Sequence, residues 1–460
     1  MGGTTECNRV VLITIDSLRR DCLDEMPTLR SLASEGVHFP QAVAHSNWTP
    51  LSFPSILGPD PVFVRSNDHD LGTPTLAEHL SNHGVETVGL NAANGFLTEH
   101  WGYDRGFDQF ESFLDTNGRV SQWLATHPTT HGWVQLFGSA LRRPFAPSDD
   151  RHTVDTSNLL DLEDRLCEVL RPTRGEQFVW AHLMDTHTPY VPAPQYLSDD
   201  AKPSVASQLL QQANASLGNI LGTADISLLR DRYHGAARQI DRSLARIVTV
   251  LRDRGLADET CLVVAGDHGE EFLEHGHTAH YPKLYTELLE VPLVVHPPGG
   301  GGSTVEAPVG LEVIPATIAD LFGLDPSPFE GASVRRVLEG DDVQRDGPVV
   351  SVTVRGESVT TQPIPRSPTD GSLLLSARDE RWTYIYHDGT GERELYDRTT
   401  DPGEQDPLPP DEIAPSTIDR LHDAVQTRLD RIHTPTDQRD DHGENPPTSV
   451  TERLEHLGYS

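Results

Sequence analysis

Lysine is almost absent from this sequence of 460 residues, in which Lys202 and Lys283 are the only two. The other cationic side chains are arginines, and the formal net charge is -34 at pH 7. Such an excess of acid keeps a protein soluble in concentrated salt, where screening removes the self-repulsion of the surface. We therefore expect a protein of a halophilic archaeon, with an acidic protein carrying disordered tails as the alternative. Nucleic acid is not expected as a partner, because no basic cluster can neutralise its phosphates.

Cysteine and long apolar runs are also scarce. The four cysteines lie far apart, without a Cys-x-x-Cys pair, which is typical of free thiols in a reducing compartment. No apolar run approaches the roughly 18 residues needed to span a membrane. The first residues lack the basic and apolar regions of a signal peptide. We therefore expect a cytoplasmic protein with no membrane partner, and we leave the oligomeric state open.

The order of the predicted elements indicates an α/β fold. The strands are predicted at residues 9–15, 85–90, 177–184 and 261–266, and the helices between them at 27–35, 75–83 and 227–254. This alternation predicts a central, mostly parallel sheet flanked by helices. The large α/β domain is placed at residues 8–335. Residues 116–175 differ in composition and are interpreted as an insertion or cap within it.

A composition shift near residue 340 predicts a small C-terminal α+β subdomain at residues 340–433. It contains predicted strands at 349–354 and 381–386 and a predicted terminal helix at 411–433. Residues 434–460 are rich in proline, aspartate and histidine and are expected to be disordered.

Polar residues follow two of the predicted strands at the point where each strand ends. Asp16 comes directly after the apolar residues 9–15, and Asp267 and His268 follow residues 261–266. In open α/β sheets, ligands bind at the carboxyl ends of the strands. Two carboxylates and an imidazole at that edge suit a divalent metal ion, of the kind that activates a hydroxyl or polarises a phosphoryl or sulfuryl oxygen. The sequence therefore predicts a metal-dependent hydrolase.

Thr49 lies between these two strands, in a polar loop that precedes a predicted helix beginning near Pro50. Proline is tolerated in the first turn of a helix, so Thr49 is predicted at the N-cap. A hydroxyl at that position, next to a metal ion, would have a lowered pKa and could act as a nucleophile. The alternative is that Thr49 only caps the helix. We favour the nucleophile because Asp16, Asp267 and His268 accompany it.

At this point the chain resembles the sulfatase-like family of the alkaline phosphatase superfamily. The motifs that carry the resemblance occur in order from about residue 8 to 410. They are Ile-Asp16-Ser-Leu-Arg19, Thr49-x-x-Ser52-x-x-Ser55, His182-Leu-Met-Asp185-Thr-His187-Thr-Pro-Tyr190, Asp267-His268-Gly-Glu-Glu with His275, His277 and His280, and Glu394-Leu-Tyr-Asp397. The resemblance implies an alkaline phosphatase-like sandwich and an ester hydrolase that acts on a small-molecule or glycan ester.

The resemblance also implies the roles of individual residues. Asp16, Thr49, Asp267 and His268 match the ligands of one divalent ion, which could be Mn, Mg, Ca or Zn, and Thr49 matches the nucleophile. His187 and His280 match residues that bind the transferred group or protonate the leaving alkoxide. His45 is a further candidate for substrate contact. A second metal ion, held by Asp185, His187 and His280, is left open. His182 is interpreted as a hydrogen-bonded core histidine.

Three departures from the sulfatase pattern bear on the substrate. Sulfatases carry Cys or Ser at the Thr49 position, within Cys/Ser-x-Pro-x-Arg, and oxidise it to formylglycine. Thr49 cannot form that aldehyde, and Leu51 and Phe53 replace the Pro and Arg. We therefore expect no formylglycine, and we favour a phosphoric or phosphonic ester over a sulfuric ester. The alternatives are a transferase or mutase that uses the same site, and a catalytically silent homologue that binds anionic glycans.

Overall fold

The computed structural model describes residues 7–61, 71–92, 94–113, 157–198, 225–280, 282–341, 347–356, 371–409 and 413–433. The helices are α1 (Pro27–Glu35), α2 (Thr49–Ser52), α3 (Pro54–Leu57), α4 (Leu76–Ser81), α5 (Leu159–Val169), α6 (Ile226–Asp253), α7 (Thr286–Leu289), α8 (Val313–Leu321), α9 (Arg335–Leu338) and α10 (Pro415–His433). Short 3-10 turns lie at Arg20–Glu25, Glu99–Trp101, Pro194–Tyr196 and Ala257–Glu259.

The strands belong to four sheets. They are β1 (Arg9–Ile15), β2 (Val37–His38), β3 (Ala42–Val43), β4 (Glu86–Asn91), β5 (Gln109–Ser112), β6 (Gln177–Leu183), β7 (Thr260–Gly266), β8 (Glu271–Phe272), β9 (Thr278–Ala279), β10 (Glu290–Val291), β11 (Leu293–His296), β12 (Ser303–Thr304), β13 (Val309–Gly310), β14 (Val349–Gly356), β15 (Gly371–Arg378), β16 (Trp382–His387) and β17 (Arg393–Asp397).

The central sheet has eight strands in the order β12-β2-β11-β7-β1-β6-β4-β5. The five adjacent strands β7, β1, β6, β4 and β5 run parallel to one another. Strand β11 runs antiparallel to β7. The predicted, mostly parallel α/β sheet is therefore confirmed. Parallel strands need covered faces, because both sides of each strand carry apolar residues.

The side chains of β1 alternate between two hydrophobic cores, as the period of two residues in a strand requires. Val11, Ile13 and Ile15 pack in one core with the apolar faces of α1, α5 and α6. Val10 and Leu12 pack in the other core with residues of α3, α4 and α8. The sheet is thus sandwiched between two layers of helices.

The C-terminal part forms a separate antiparallel sheet in the order β14-β15-β16-β17, with α10 packed on β15 and β16. Its apolar core includes Trp48 and Leu51, so the segment around Thr49 lies against this subdomain. Most of the predicted cap at residues 116–175 lies outside the described residues. Within it, α5 belongs to the main core because Leu159, Leu162 and Leu166 are buried there. The predicted tail at 434–460 also lies outside the described residues.

Candidate active site and metal centre

The register of the central strands brings the two predicted carboxylates together. β1 pairs with β7 in parallel, with Ile15 opposite Gly266, so the chain reaches Asp16 and Asp267 at the same level of the sheet. The amide of Asp267 donates a hydrogen bond to the carbonyl of Ile15 at 3.2 Å. Both carboxylates are fully buried. This is the carboxyl edge of the sheet, where open α/β folds bind ligands.

Asp267 has one carboxylate oxygen bonded to protein and one directed at its neighbours. Its Oδ1 accepts hydrogen bonds from the amides of Ser17 at 3.0 Å and His268 at 2.8 Å. Its Oδ2 is buried and has no hydrogen-bond partner within the described part of the chain. A buried carboxylate oxygen without a partner is costly, and a divalent cation would satisfy it. The donor set therefore fits a metal ion.

His268 directs the lone pair of its Nε2 toward the carboxylates of Asp16 and Asp267. Its Nδ1 lies 2.9 Å from the carbonyl of Gly269, which can only accept, so Nδ1 carries the proton and Nε2 is the basic nitrogen. Nε2 lies 3.7 Å from Asp16 Oδ1 and 3.7 Å from Asp267 Oδ2. Burial, reinforced by the nearby His280, lowers the pKa of His268 to about 4. A neutral imidazole is the form that binds a metal.

Thr49 lies beside Asp16 and His268, and its place in the helix differs by one residue from the predicted one. The N-cap of α2 is Trp48, and Thr49 is the first helical residue. Its Oγ1 lies 3.2 Å from His268 Nε2 and donates to Asp16 Oδ2 at 3.4 Å. The prediction of an N-cap hydroxyl is therefore wrong, because the chain is still extended at Trp48 and turns helical at Thr49. The juxtaposition with the carboxylate and imidazole groups does not depend on capping.

Ser52 and Ser55 do not compete with Thr49 for the role of nucleophile. Ser52 Oγ donates to the carbonyl of Asp267 at 2.6 Å, and Ser55 Oγ donates to the carbonyl of Ser52 at 2.6 Å. The first of these bonds fixes α2 against the end of β7. It therefore helps to hold the Thr49 hydroxyl at the metal centre.

Ser17 connects the two carboxylates through a strained backbone. Its φ is 57°, a left-handed conformation that is uncommon for residues other than glycine. This geometry lets its amide donate to Asp267 while its hydroxyl donates to Asp16 Oδ1 at 3.0 Å. Tyr233 on α6 donates to the carbonyl of Ser17 at 2.6 Å and stabilises the turn. Strain of this kind persists where the surrounding contacts require it.

Sequence reasoning missed Asn94 and discounted His182, and both contact Asp16. Asn94 Nδ2 donates to Asp16 Oδ2 at 2.8 Å. His182 Nε2 lies 3.5 Å from the same oxygen, and its Nδ1 lies 3.0 Å from Thr14 Oγ1. His182 is thus a buried, hydrogen-bonded histidine as interpreted, but it also joins Asp16 and Asp267 in a group whose donor atoms lie within 4.8 Å of one another. The signal for Asn94 was its place just after the strand at 85–90.

The two carboxylates have opposite shifts in pKa. Burial and the charge of Asp16 raise the pKa of Asp267 well above its usual value. Burial also opposes the ionisation of Asp16, but the electrostatic interaction with His187, the hydrogen bond to His182 and the nearby His268 outweigh it and lower the pKa of Asp16. Two adjacent buried carboxyl groups cannot both ionise cheaply without a cation, which again fits a metal ion.

His187 and His280 lie together beside the metal centre. Their ring centroids are 5.3 Å apart, and the ring of His280 is 5.1 Å from that of His268. His187 donates from Nδ1 to the carbonyl of Thr188 at 2.6 Å. Burial lowers the pKa of His187 despite the opposing charge of Asp16. Burial also disfavours the charged form of His280, but Glu270 outweighs it and raises the pKa of His280.

Two other predicted site residues have different surroundings. The carboxylate of Asp185 accepts hydrogen bonds from Ser157 Oγ at 2.6 Å and from Gln239. It is therefore held against α6, and we do not retain the hypothesis of a second metal ion held by Asp185, His187 and His280. His45 donates from Nδ1 to the carbonyl of Val350 at 2.8 Å. Its Nε2 contacts Glu312, so His45 joins β14 to the start of α8 and is not retained as a substrate ligand.

Comparisons with known proteins agree with this architecture. The family model described as Sulfatase matches residues 8–324. Arylsulfatase K of Xenopus laevis is 26% identical over 184 residues, which cover 39% of this chain and 33% of that protein. The chain therefore matches about a third of that relative's length.

The fold is shared with solved structures over nearly the whole chain. The phosphonate monoester hydrolase of Agrobacterium radiobacter superposes with a TM-score of 0.68 at 19% identity, covering 96% of this chain and 98% of that one. The phosphonate monoester hydrolase of Silicibacter pomeroyi superposes with a TM-score of 0.67 at 22% identity, covering 94% and 96%. Within the described residues, no helix is long and apolar enough to span a membrane.

Proposed function

The chain belongs to the sulfatase family, and we propose from its site that it is a metal-dependent ester hydrolase in which Thr49 forms a covalent intermediate. The observation that carries this proposal is the position of Thr49 Oγ1, 3.2 Å from His268 Nε2 and 3.4 Å from Asp16 Oδ2. The unpartnered Oδ2 of Asp267 supports a cation at the same point. Asp16, Asp267, His268 and Thr49 would hold that ion, with His182 within reach.

The substrate we propose is a phosphoric or phosphonic ester in preference to a sulfuric ester. A threonine side chain keeps its hydroxyl, whereas the sulfatase aldehyde requires Cys or Ser at this position. Phe53 stands where that pattern has Arg, and it is fully buried against Trp180 and His182 at centroid distances of 5.6 and 5.1 Å. Phe53 therefore contributes apolar packing beneath the metal centre, and it supplies no positive charge to the site.

The chemistry divides among the residues of the site. When bound, the ion would lower the pKa of the Thr49 hydroxyl and neutralise charge on the transferred group. Thr49 loses its hydroxyl proton to solvent and is released as the same alkoxide at the end of the cycle. Its Oγ1 attacks phosphorus, and the bond to the leaving oxygen breaks as that oxygen takes a proton from a histidine. Water then attacks the threonine ester, gives a proton to the same histidine and releases Thr49. A proton-transferring histidine contributes typically about 10²- to 10⁴-fold.

The test is the hydrolysis of p-nitrophenyl phosphate, p-nitrophenyl phenylphosphonate and p-nitrophenyl sulfate in molar salt with added manganese. We expect turnover of a phosphorus ester. Its rate should fall by about 10³-fold or more in T49A, and T49S should retain part of it. S55A is the matched control, since Ser55 is a nearby hydroxyl that donates to the backbone carbonyl of Ser52. Mass spectrometry of acid-quenched enzyme should find the phosphoryl group on Thr49.

Two results would contradict this proposal. Turnover that survives T49A would mean that another group is the nucleophile, and turnover of the sulfate ester alone would reverse the substrate preference. Product analysis with glycerol present distinguishes hydrolysis from transfer to an alcohol. A wild-type protein that binds anionic glycans and hydrolyses none of the esters would be a silent homologue.

We also propose a cytoplasmic location in a halophilic organism. All four cysteines are buried and free, which supports a reducing compartment. The charge of -34 supports a protein that works in high salt. Activity and thermal stability measured from low to molar salt would test the second point, because a halophilic protein should lose both at low salt.

A further inference from the structure

Glu270 is a fully buried carboxylate whose two oxygens have separate partners at the edge of the active site. Its Oε1 accepts a hydrogen bond from the hydroxyl of Tyr190 at 2.7 Å. Its Oε2 lies 3.3 Å from His280 Nδ1. Because a carboxylate can only accept, His280 Nδ1 carries the proton in this pair, and Nε2 is the ring nitrogen that remains for chemistry.

Tyr190 fixes the direction of this carboxylate. Its ring is buried and packs against Tyr233 and Phe272, at centroid distances of 5.4 and 5.9 Å. The backbone of Glu270 is also held, because its amide donates to the carbonyl of Glu287 at 3.0 Å and its carbonyl accepts from Arg19 at 2.8 Å. Neither oxygen of Glu270 can move without breaking one of these contacts.

His280 is preceded by an unusual backbone conformation. It follows the two-stranded hairpin of β8 and β9, and the preceding residue Ala279 has a φ of 65°. Asn47 Nδ2 donates to the carbonyl of His280 at 2.9 Å and fixes the main chain. The ring lies within 5.3 Å of those of His187 and His268, so small rotations would change which atom it presents to a substrate.

We propose that Glu270 is the positioning residue for His280, which it holds with Nε2–H toward the leaving oxygen, and that Tyr190 completes this pair. The inference rests on the proposed ester hydrolysis. The reacting form of His280 is the imidazolium, with a proton on each ring nitrogen. As the bond between phosphorus and the leaving oxygen breaks, Nε2 gives its proton to that oxygen, and the neutral ring keeps Nδ1–H bonded to Glu270. In the second step Nε2 takes a proton from the attacking water, which restores the starting state. Without Glu270, the ring would lose the acceptor that orients it.

Leaving-group dependence tests this assignment. A proton donor matters most when the leaving alcohol is weakly acidic, so phenyl phosphate should depend on His280 more than p-nitrophenyl phosphate does. We expect E270Q to lower kcat for phenyl phosphate about 10- to 100-fold and for p-nitrophenyl phosphate about 3-fold or less, with H280A showing the same selectivity more strongly. Y190F should show the same selective loss of phenyl phosphate turnover more weakly. E270D should retain part of the phenyl phosphate activity that E270Q loses.

E271Q is the matched control. Glu271 is the next residue and is equally buried, but its Oε1 accepts from the amides of His275 and His277 at 2.9 and 2.8 Å, and both of its oxygens lie 3.3 Å from Lys283 Nζ. Any loss in E271Q should be the same for both esters. An equal loss for both esters in E270Q would overturn the inference and leave Glu270 with a structural role. Activity retained in T49A, in contrast, would refute the proposed function itself.

A second measurement does not depend on turnover. In metal-free full-length protein labelled with 15N at histidine, the His280 imidazole signals are identified by their loss in H280A. We expect a protonated Nδ1 in the wild type and a changed His280 pattern in E270Q but not in E271Q. Unchanged His280 signals in E270Q would show that the contact does not exist in solution and would overturn the inference, even if no ester were hydrolysed.

Discussion

At the scale of single residues, the site is organised around two adjacent carboxylates whose negative charge the surrounding side chains do not balance. Asp16 and Asp267 are fully buried side by side, and burial together with Asp16 raises the pKa of Asp267. Such a pair is unfavourable in the apoprotein and favourable around a divalent cation. The free energy of metal binding should therefore depend strongly on this one carboxylate.

We expect D267N to stabilise the metal-free protein by about 1–3 kcal/mol, because it removes an unsatisfied buried oxygen and a like charge. The two hydrogen bonds to Oδ1 are retained. Adding manganese should raise the Tm of the wild type, by an amount equivalent to about 2.7 kcal/mol at 100 times Kd, and should leave D267N unchanged. Thermal unfolding with and without manganese measures both effects.

D241N is the control for this prediction. Asp241 is also buried, but it accepts from the amides of Thr28 and Leu29 at the start of α1, at 3.0 and 2.9 Å. Its replacement should leave the response to manganese intact. A manganese-induced shift that persists in D267N would show that Asp267 is not a ligand.

At the scale of elements, the ends of β1, β6 and β7 determine where the reactive groups lie. After β7, the chain passes His268 and Gly269 and continues to Glu270 and the β8–β9 hairpin. Gly269 makes this passage possible, because a Cβ at that position would lie 2.0 Å from the carbonyl oxygen of Glu287. The amide of Gly269 donates to the carbonyl of Leu288 at 2.7 Å, so the two backbones are in direct contact.

We expect G269A to lower the free energy of unfolding by about 2–4 kcal/mol, because the backbone at α7 has to move away. The same movement should displace His268 and reduce the manganese-induced rise in Tm. G175A is the matched control, since no atom of the described residues lies within 4 Å of a Cβ at Gly175, and it should change stability by about 0.5 kcal/mol or less. Equal stabilities of the two variants would contradict this account.

At the scale of the whole molecule, a buried ion cluster joins the C-terminal sheet to the large domain. Arg378 on β15 lies 3.0 Å from Glu290 and 2.7 Å from Glu404, and all three side chains are at most 1% exposed. Arg20, which follows the Asp16 turn, lies 2.7 Å from Glu290. The C-terminal subdomain is therefore connected electrostatically to the segment that carries Asp16.

We expect R378A to lower the free energy of unfolding by about 3–5 kcal/mol, because it removes the arginine paired with the buried Glu404 and one of the three arginines around Glu290. R420A is the control, since Arg420 pairs with Asp379 at the surface and is 47% exposed, where an ion pair contributes about 1 kcal/mol or less. Urea unfolding in molar salt compares them. Similar losses in both variants would mean that the cluster does not hold the subdomain in place.

The linear order of residues was sufficient to predict the parallel sheet and the positions of Asp16, Asp267 and His268. Buried strands have a continuous apolar pattern, and polar residues that follow such strands must lie at the same edge of the sheet. The identity of Thr49 likewise predicts, without any structure, that no sulfatase aldehyde forms. These inferences depend on local patterns and on residue type, which the sequence contains in full.

Other features were set only by folding in three dimensions. Asn94 contacts Asp16 across 78 positions of sequence and His45 contacts Val350 across 305, so local patterns do not reveal either pair. The direction of each side chain also mattered: Asp185 follows a strand end as Asp16 does, yet its carboxylate is bonded to Ser157 and Gln239. Strand ends place a residue at an edge, but packing against neighbouring elements determines which atoms meet there.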